Sequence, residues 1–128
     1  MPQHQDSCLF CSMAHLEVIM ENELVYAIRD SFPVTPLHTL IIPKRHVSSY
    51  FDLSPEELLA CNDAIKKLEV AIRKEDSSVE GFNVGVNIGE TAGQTIFHCH
   101  IHLIPRRKDD VPNPKGGVRH LIPGKGFY

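Results

Sequence analysis

The segment Phe97-His98-Cys99-His100-Ile101-His102-Leu103-Ile104 carries an imidazole at every second position. Alternate side chains of a strand leave by opposite faces. The spacing therefore predicts a strand with His98, His100 and His102 on one face and Phe97, Cys99, Ile101 and Leu103 on the other. A helix would scatter the imidazoles around its circumference. At roughly 3.3 Å per residue, neighbouring rings would stand about 6–7 Å apart, in a row about 13 Å long. Histidine titrates nearest neutrality, so three on one face suit phosphoryl chemistry, proton transfer or metal binding. An ordinary core face would be filled more simply by valine.

Other reactive groups lie upstream. Cys8-Leu9-Phe10-Cys11 can be half of a zinc site, a redox pair or a coincidence. No βαβ pattern surrounds it, as a thioredoxin-like motif requires, and a structural zinc needs two more nitrogen or sulfur ligands. Asp30, His38 and His46 fall at or near the ends of expected strands, where a loop cap and solvated histidines are the simplest readings. The connection from Ile88 to Thr95, with Gly89, Gly93, Gln94 and Thr95, leads directly into the histidines. Such a loop can donate hydrogen bonds to phosphate oxygens, or it can be a hairpin connection that needs glycine.

The elements that must position these groups follow from periodicity and punctuation. Leu24–Arg29 and His38–Ile42 read as an antiparallel pair joined by a loop with two prolines. Ser54-Pro55-Glu56-Glu57 combines a serine cap, a proline at the first helical position and a glutamate three residues after the cap. The helix it opens, expected over 54–74, lays Leu58, Cys61, Ile65, Leu68 and Ile72 on one stripe. Asp76–Glu80 reads as a loop and Gly81–Asn87 as a strand that packs Phe82, Val84 and Val86. The stretch from Val111 to Tyr128 lacks periodicity, yet its Val118, Leu121, Ile122, Phe127 and Tyr128 favour an arm docked on the body or on a partner.

At 128 residues the chain suits one domain with a self-sufficient core. Its 42% apolar and 23% charged residues are those of an ordinary globular protein. A formal net charge of −3 argues against coating nucleic acid. No apolar run approaches a membrane span, and Met1–Asp6 lacks the pattern of a secretory signal. Four cysteines in such a chain point to thiols or metal in the cytoplasm rather than to a disulfide framework.

These motifs together resemble the histidine triad (HIT) superfamily, whose signature alternates histidine with apolar residues as in His98-Cys99-His100-Ile101-His102-Leu103-Ile104. Asp30…Pro33…His38-Thr39-Leu40-Ile41-Ile42-Pro43-Lys44-Arg45-His46 and Phe82–Asn87…Ala92-Gly93-Gln94-Thr95 resemble its other two blocks. The ending Gly116-Gly117-Val118-Arg119-His120 is similar to that of bacterial HIT hydrolases called diadenosine tetraphosphate hydrolases. Two positions depart from the family pattern. Leu37 stands where many members have glycine, and Cys99 stands where valine is usual.

The resemblance implies an α+β fold: an antiparallel sheet of about five strands, one main helix, and a homodimer with a continuous sheet. It implies a HIT domain over 1–110 and a C-terminal arm over 111–128. It also implies hydrolysis at the α-phosphate of a nucleotide, such as a dinucleoside polyphosphate or an adenosine phosphoramidate. His100 would be the nucleophile, with His102 and Gln94 beside it. Asp30 would hold the ribose, Asn87, Gly93 and Thr95 the phosphates, and Leu9, Phe10 and Ile28 the base. A zinc-bearing branch places structural Zn2+ on positions matching Cys8, Cys11, His46 and His98. Three alternatives stay open at this level: a nucleotidyltransferase, a nucleotide-sensing interaction module, and a metallohydrolase that uses the three histidines as metal ligands.

Overall fold

The computed structural model describes residues 7–128, so the reading of Met1–Asp6 lies outside the described residues. Its centre is a five-stranded antiparallel sheet in the order β1-β2-β3-β5-β4. The strands are β1 (Val18–Glu21), β2 (Val25–Arg29), β3 (Thr39–Pro43), β4 (Val79–Gly85) and β5 (Ile101–Arg107). The one α-helix among the described residues, α1 (Pro55–Glu75), follows β3. Among the described residues no helix is long and apolar enough to cross a membrane.

The start of α1 is the motif read from the sequence. The Ser54 hydroxyl accepts from the Glu57 amide, and the Glu57 carboxylate accepts from the Ser54 amide. Glu57 has a second task, because Arg45 grips its carboxylate from two guanidinium nitrogens at 3.0 and 2.7 Å. This pair, with Glu57 buried and Arg45 half-buried, ties the end of β3 to the helix. The stripe of α1 that packs on the sheet is Cys61, Ala64, Leu68 and Ile72. Ala64 joins it, while Leu58 lies at its exposed margin.

The helix covers one face of the sheet, over a core that includes Val25, Ala27, Ile41, Cys99, Ile101 and Leu103. The opposite face carries a smaller cluster of Phe10, Tyr26, Ile28, Leu40 and Ile42, capped by the segment around Cys8–Leu16. Period two along β5 sends Ile101 and Leu103 to the helix side and His102 to the side of this smaller cluster.

The structure moves three expected boundaries. β1 is an additional edge strand, short and alternately exposed, so its apolar signal is weak. β4 begins at Val79 rather than at Gly81 and ends at Gly85, which leaves Val86 and Asn87 beyond the ladder. Val84, expected to be packed, is 48% exposed on that edge strand. The histidine strand begins only at Ile101, so His98 and His100 precede it. Its pairing with β3 stops at Ile41↔Ile101. Beyond that point the Cys99 amide donates to the Val47 carbonyl at 2.7 Å, outside the sheet.

Candidate active site

Although the ladder stops before Cys99, the three imidazoles share one face. His98 and His100 both pack edge-on against Phe10, His100 packs against His102, and Cys99, Ile101 and Leu103 lie in the core on the helix side. Each is turned to a different partner, and each partner selects a tautomer.

His98 is fully buried, and its Nε2–H donates to the Pro43 carbonyl at 2.7 Å. Its Nδ1 is then the lone-pair nitrogen. That atom stands 3.4 Å from Cys8 Sγ and 3.6 Å from Cys11 Sγ, and His46 Nδ1 stands 3.2 Å from Cys11 Sγ. Burial is the main cause that holds His98 below the ordinary histidine pKa. The four ligand atoms of Cys8, Cys11, His46 and His98 all lie within 4.8 Å of one another. A tetrahedral zinc with bonds of about 2.0–2.3 Å needs its ligands roughly 3.3–3.8 Å apart, so this Cys2His2 set fits it. The bond to Pro43 is the outer-sphere contact that orients a ligating histidine.

His100 follows a different rule. Its Nδ1–H donates to the His98 carbonyl at 2.8 Å, which leaves the lone pair on Nε2. Its ring packs edge-on against Phe10, with centroids 5.1 Å apart, and against His102, with centroids 5.3 Å apart.

His102 is governed from the neighbouring strand. The Val34 amide donates to His38 Nδ1 at 3.1 Å, so the proton of His38 sits on Nε2. His38 Nε2–H then donates to His102 Nδ1 at 2.9 Å, and the proton of His102 sits on Nε2. Asp30 stands behind this pair, with its Oδ2 3.5 Å from His38 Nε2 and its Oδ1 accepting from the Phe32 amide at 2.8 Å. Burial lowers the pKa of both imidazoles. That of His102 falls to about 4, with the neighbouring His100 and His38 adding to the effect. Both rings are therefore neutral at pH 7.

Asp30, His38 and His102 also bring three ligand atoms within 4.8 Å. A metal on His38 Nε2 would force the ring proton onto Nδ1, facing the Val34 N–H. The trio is better described as a hydrogen-bonded relay.

The loop before the histidines is pinned by Gln94, which is 3% exposed. Its side-chain amide donates to the Ser48 carbonyl at 2.9 Å and the Ile96 carbonyl at 3.2 Å, while its oxygen accepts from the Gly89 amide at 2.8 Å. Gly93, with φ +91°, and Thr95 lie exposed on the same loop.

Residues 13–109 match the HIT domain model. The chain belongs to the HIT family. A HIT-like protein of Saccharolobus solfataricus is 33% identical over 125 residues, covering 94% of this chain and 89% of its own length. An adenylylsulfatase of Arabidopsis thaliana is 36% identical over 110 residues, which cover 83% of this chain but 55% of that protein. A zinc-bound histidine triad family protein of Mycobacterium smegmatis superposes with a TM-score of 0.74, at 33% identity and 90% coverage of both chains. A HIT family protein of Bacillus anthracis gives 0.75 at 37% identity, covering 96% of this chain and 79% of that one.

On this HIT scaffold the expected site residues are placed differently from one another. Cys8, Cys11, His46 and His98 converge, and so do Asp30 and His102. Gln94, expected beside the reacting phosphate, is committed to holding its own loop. Of the three expected base-wall residues, Leu9 is 54% exposed, whereas Phe10 and Ile28 are core at 3% and 6%. Asn87 is half-buried just past β4, near enough to Gly93 that a Cβ there would lie 3.8 Å from its Nδ2. His38, read from the sequence most simply as a solvated histidine at a strand end, is instead 3% exposed and reaches a histidine 64 positions away.

Proposed function

We propose that this HIT protein hydrolyses a nucleotide at its α-phosphate through a covalent nucleotidyl-histidine on His100. The observation that supports this most is the pair of opposed tautomers on adjacent rings: His100 has a lone pair on Nε2, and His102 has a proton on Nε2. A nucleophile and a hydrogen-bond donor side by side are what a two-step displacement at phosphorus requires.

In the first step His100 Nε2 forms a bond to the α-phosphorus as the bond to the leaving group breaks. The leaving group departs with the electron pair and is met by the His102 N–H. In the second step water attacks phosphorus, the P–N bond breaks and returns its electrons to the imidazole, and the proton of the water is lost to solvent. A nucleoside monophosphate is released. Charge on the equatorial oxygens is met by fixed donors from Asn87, Thr95 and the Gly93 amide. Gln94 keeps that loop in shape, Asp30 takes the ribose hydroxyls, and Leu9 offers apolar surface to the base.

Cys8, Cys11, His46 and His98 would hold zinc. When bound, the ion supplies a structural cross-link between the N-terminal segment and the strand ends, with no open position for chemistry. Dinucleoside polyphosphates and adenosine phosphoramidates are the substrate classes of this reading. The adenylylsulfatase relative adds adenylyl sulfate to them. A homodimer is part of the proposal, as is an arm over 111–128, whose Val118, Leu121, Ile122, Phe127 and Tyr128 all lie exposed. So is a cytoplasmic location, where the thiols stay reduced for zinc.

The stereochemistry of the reaction tests the mechanism. With a substrate whose α-phosphorus is a chiral, isotopically labelled phosphorothioate, two in-line displacements give net retention. Net inversion means direct attack by water and removes His100 as nucleophile.

A further inference from the structure

We propose that Phe10 is a positioning residue: the wedge through which the Cys8–Cys11 loop fixes the aim of the His100 ring. The inference rests on His100 being the attacking nucleophile.

The loop is one turn of 3-10 helix, Leu9–Cys11, closed by bonds from the Cys11 amide to Cys8 and from the Ser12 amide to Leu9. At three residues per turn, consecutive side chains diverge by about 120°. Leu9 therefore faces out, and Phe10 faces in at 3% exposure. A buried ring has little surface to offer a nucleobase. Its edge-on contacts are instead with His100, centroids 5.1 Å apart, and with His98, centroids 6.1 Å apart.

Phe10 itself is fixed from two directions. Its carbonyl accepts the Tyr26 hydroxyl at 2.5 Å, and Tyr26 is fully buried in β2. On either side of it in sequence, Cys8 and Cys11 are drawn toward His98 and His46. His100, in contrast, is anchored at Nδ1 by its bond to the His98 carbonyl. The ring is also bonded through Cγ to its own backbone, and one hydrogen bond at Nδ1 leaves some torsion about the side-chain bonds, which moves Nε2. Edge-on contacts with Phe10 and with His102 limit that torsion. A displacement of about 1 Å at a reacting atom is enough to cost on the order of 10²-fold in rate.

The test uses the full-length, zinc-loaded protein with Phe10→Ala, and with Phe10→Leu as a milder variant that keeps most of the buried bulk. Steady-state kinetics separate kcat from KM, and 15N spectra of the imidazoles report the tautomer of His100 without substrate. The expected result is a kcat lower by roughly 10²-fold for Phe10→Ala and less for Phe10→Leu. KM should change little, and the single Nδ1-protonated tautomer of the wild type should give way to a mixture. A raised KM with kcat and tautomer unchanged would overturn the proposal and make Phe10 part of the nucleoside pocket. An unchanged His100 spectrum in both variants would also overturn it. The spectra decide about Phe10 even if the wild type turns over no nucleotide, so that outcome would count against the hydrolase reading alone.

Discussion

Nε2 of His38 stands 2.9 Å from Nδ1 of His102, and this one contact determines which nitrogen of His102 faces outward with a proton. The two residues meet because β3 pairs antiparallel with β5 in a register that sets Leu40 opposite His102. His38 lies just before β3, on the same side of the sheet two positions earlier. Its own orientation comes from the loop, through the Val34 amide.

Replacing His38 by asparagine shortens the donor and leaves His102 Nδ1 without its hydrogen-bond donor. The rate should drop about 10–100-fold, the usual effect of losing a partner that orients a functional imidazole. The 15N spectrum of His102 should lose its single tautomer. An unchanged rate would mean that His102 holds its tautomer unaided.

The histidines also predict how stability depends on pH. His102 titrates at about 4 in the folded chain against 6.5 when free, and the groups that face it are His100, His38 and Asp30. Between those values the unfolded chain binds more protons, so stability rises with pH. It is complete above about 6.5 and is lost as pH falls through 4. A second loss follows at lower pH, because Asp76, bonded by Ser78 and Arg107, titrates at about 2 instead of 3.8. Urea midpoints from pH 7 to 3 should fall across the first window. His102→Asn should flatten that part of the curve.

Leu37 sits at φ +70°, the left-handed region that side chains with a Cβ avoid. Its carbonyl accepts the Thr39 hydroxyl at 2.8 Å, so the turn that aims His38 depends on this conformation. The normal order of Ala over Gly should therefore invert here. Leu37→Gly should be more stable than Leu37→Ala by about 1 kcal/mol in denaturant unfolding, because both lose the packing and only glycine loses the strain.

Metal removal should act on the fold. A chelator strong enough to strip zinc, or Cys11→Ser, should lower Tm by more than about 5 °C. Added zinc should restore the chelated wild type. A Tm that ignores both would exclude a structural ion at Cys8, Cys11, His46 and His98.

Much of this was legible in the chain before any coordinates. The α1 start was readable because a capping box is local: Ser54 and Glu57 satisfy each other over one turn. The facing of Ile101, His102 and Leu103 followed from strand alternation. His98 and His100 keep that alternation, with Cys99 in the core on the helix side, but the bonds to Pro43 and Val47 take this stretch out of the ladder, and no local pattern encodes them. The surroundings of Gln94 were hidden for a related reason. A polar side chain in a loop beside histidines looks available, and only burial reveals that both of its N–H groups already serve Ser48 and Ile96. The zinc set was implied by family resemblance; spacing alone left Cys8 and Cys11 without partners.

The most direct test is the release of adenosine monophosphate from diadenosine tri- and tetraphosphate, adenosine phosphoramidate and adenylyl sulfate, with wild type beside His100→Ala. The account predicts turnover of at least one of these by the wild type. It also predicts a loss of about 10³-fold or more in a variant that still folds and binds nucleotide. Equal release by the two proteins would contradict it.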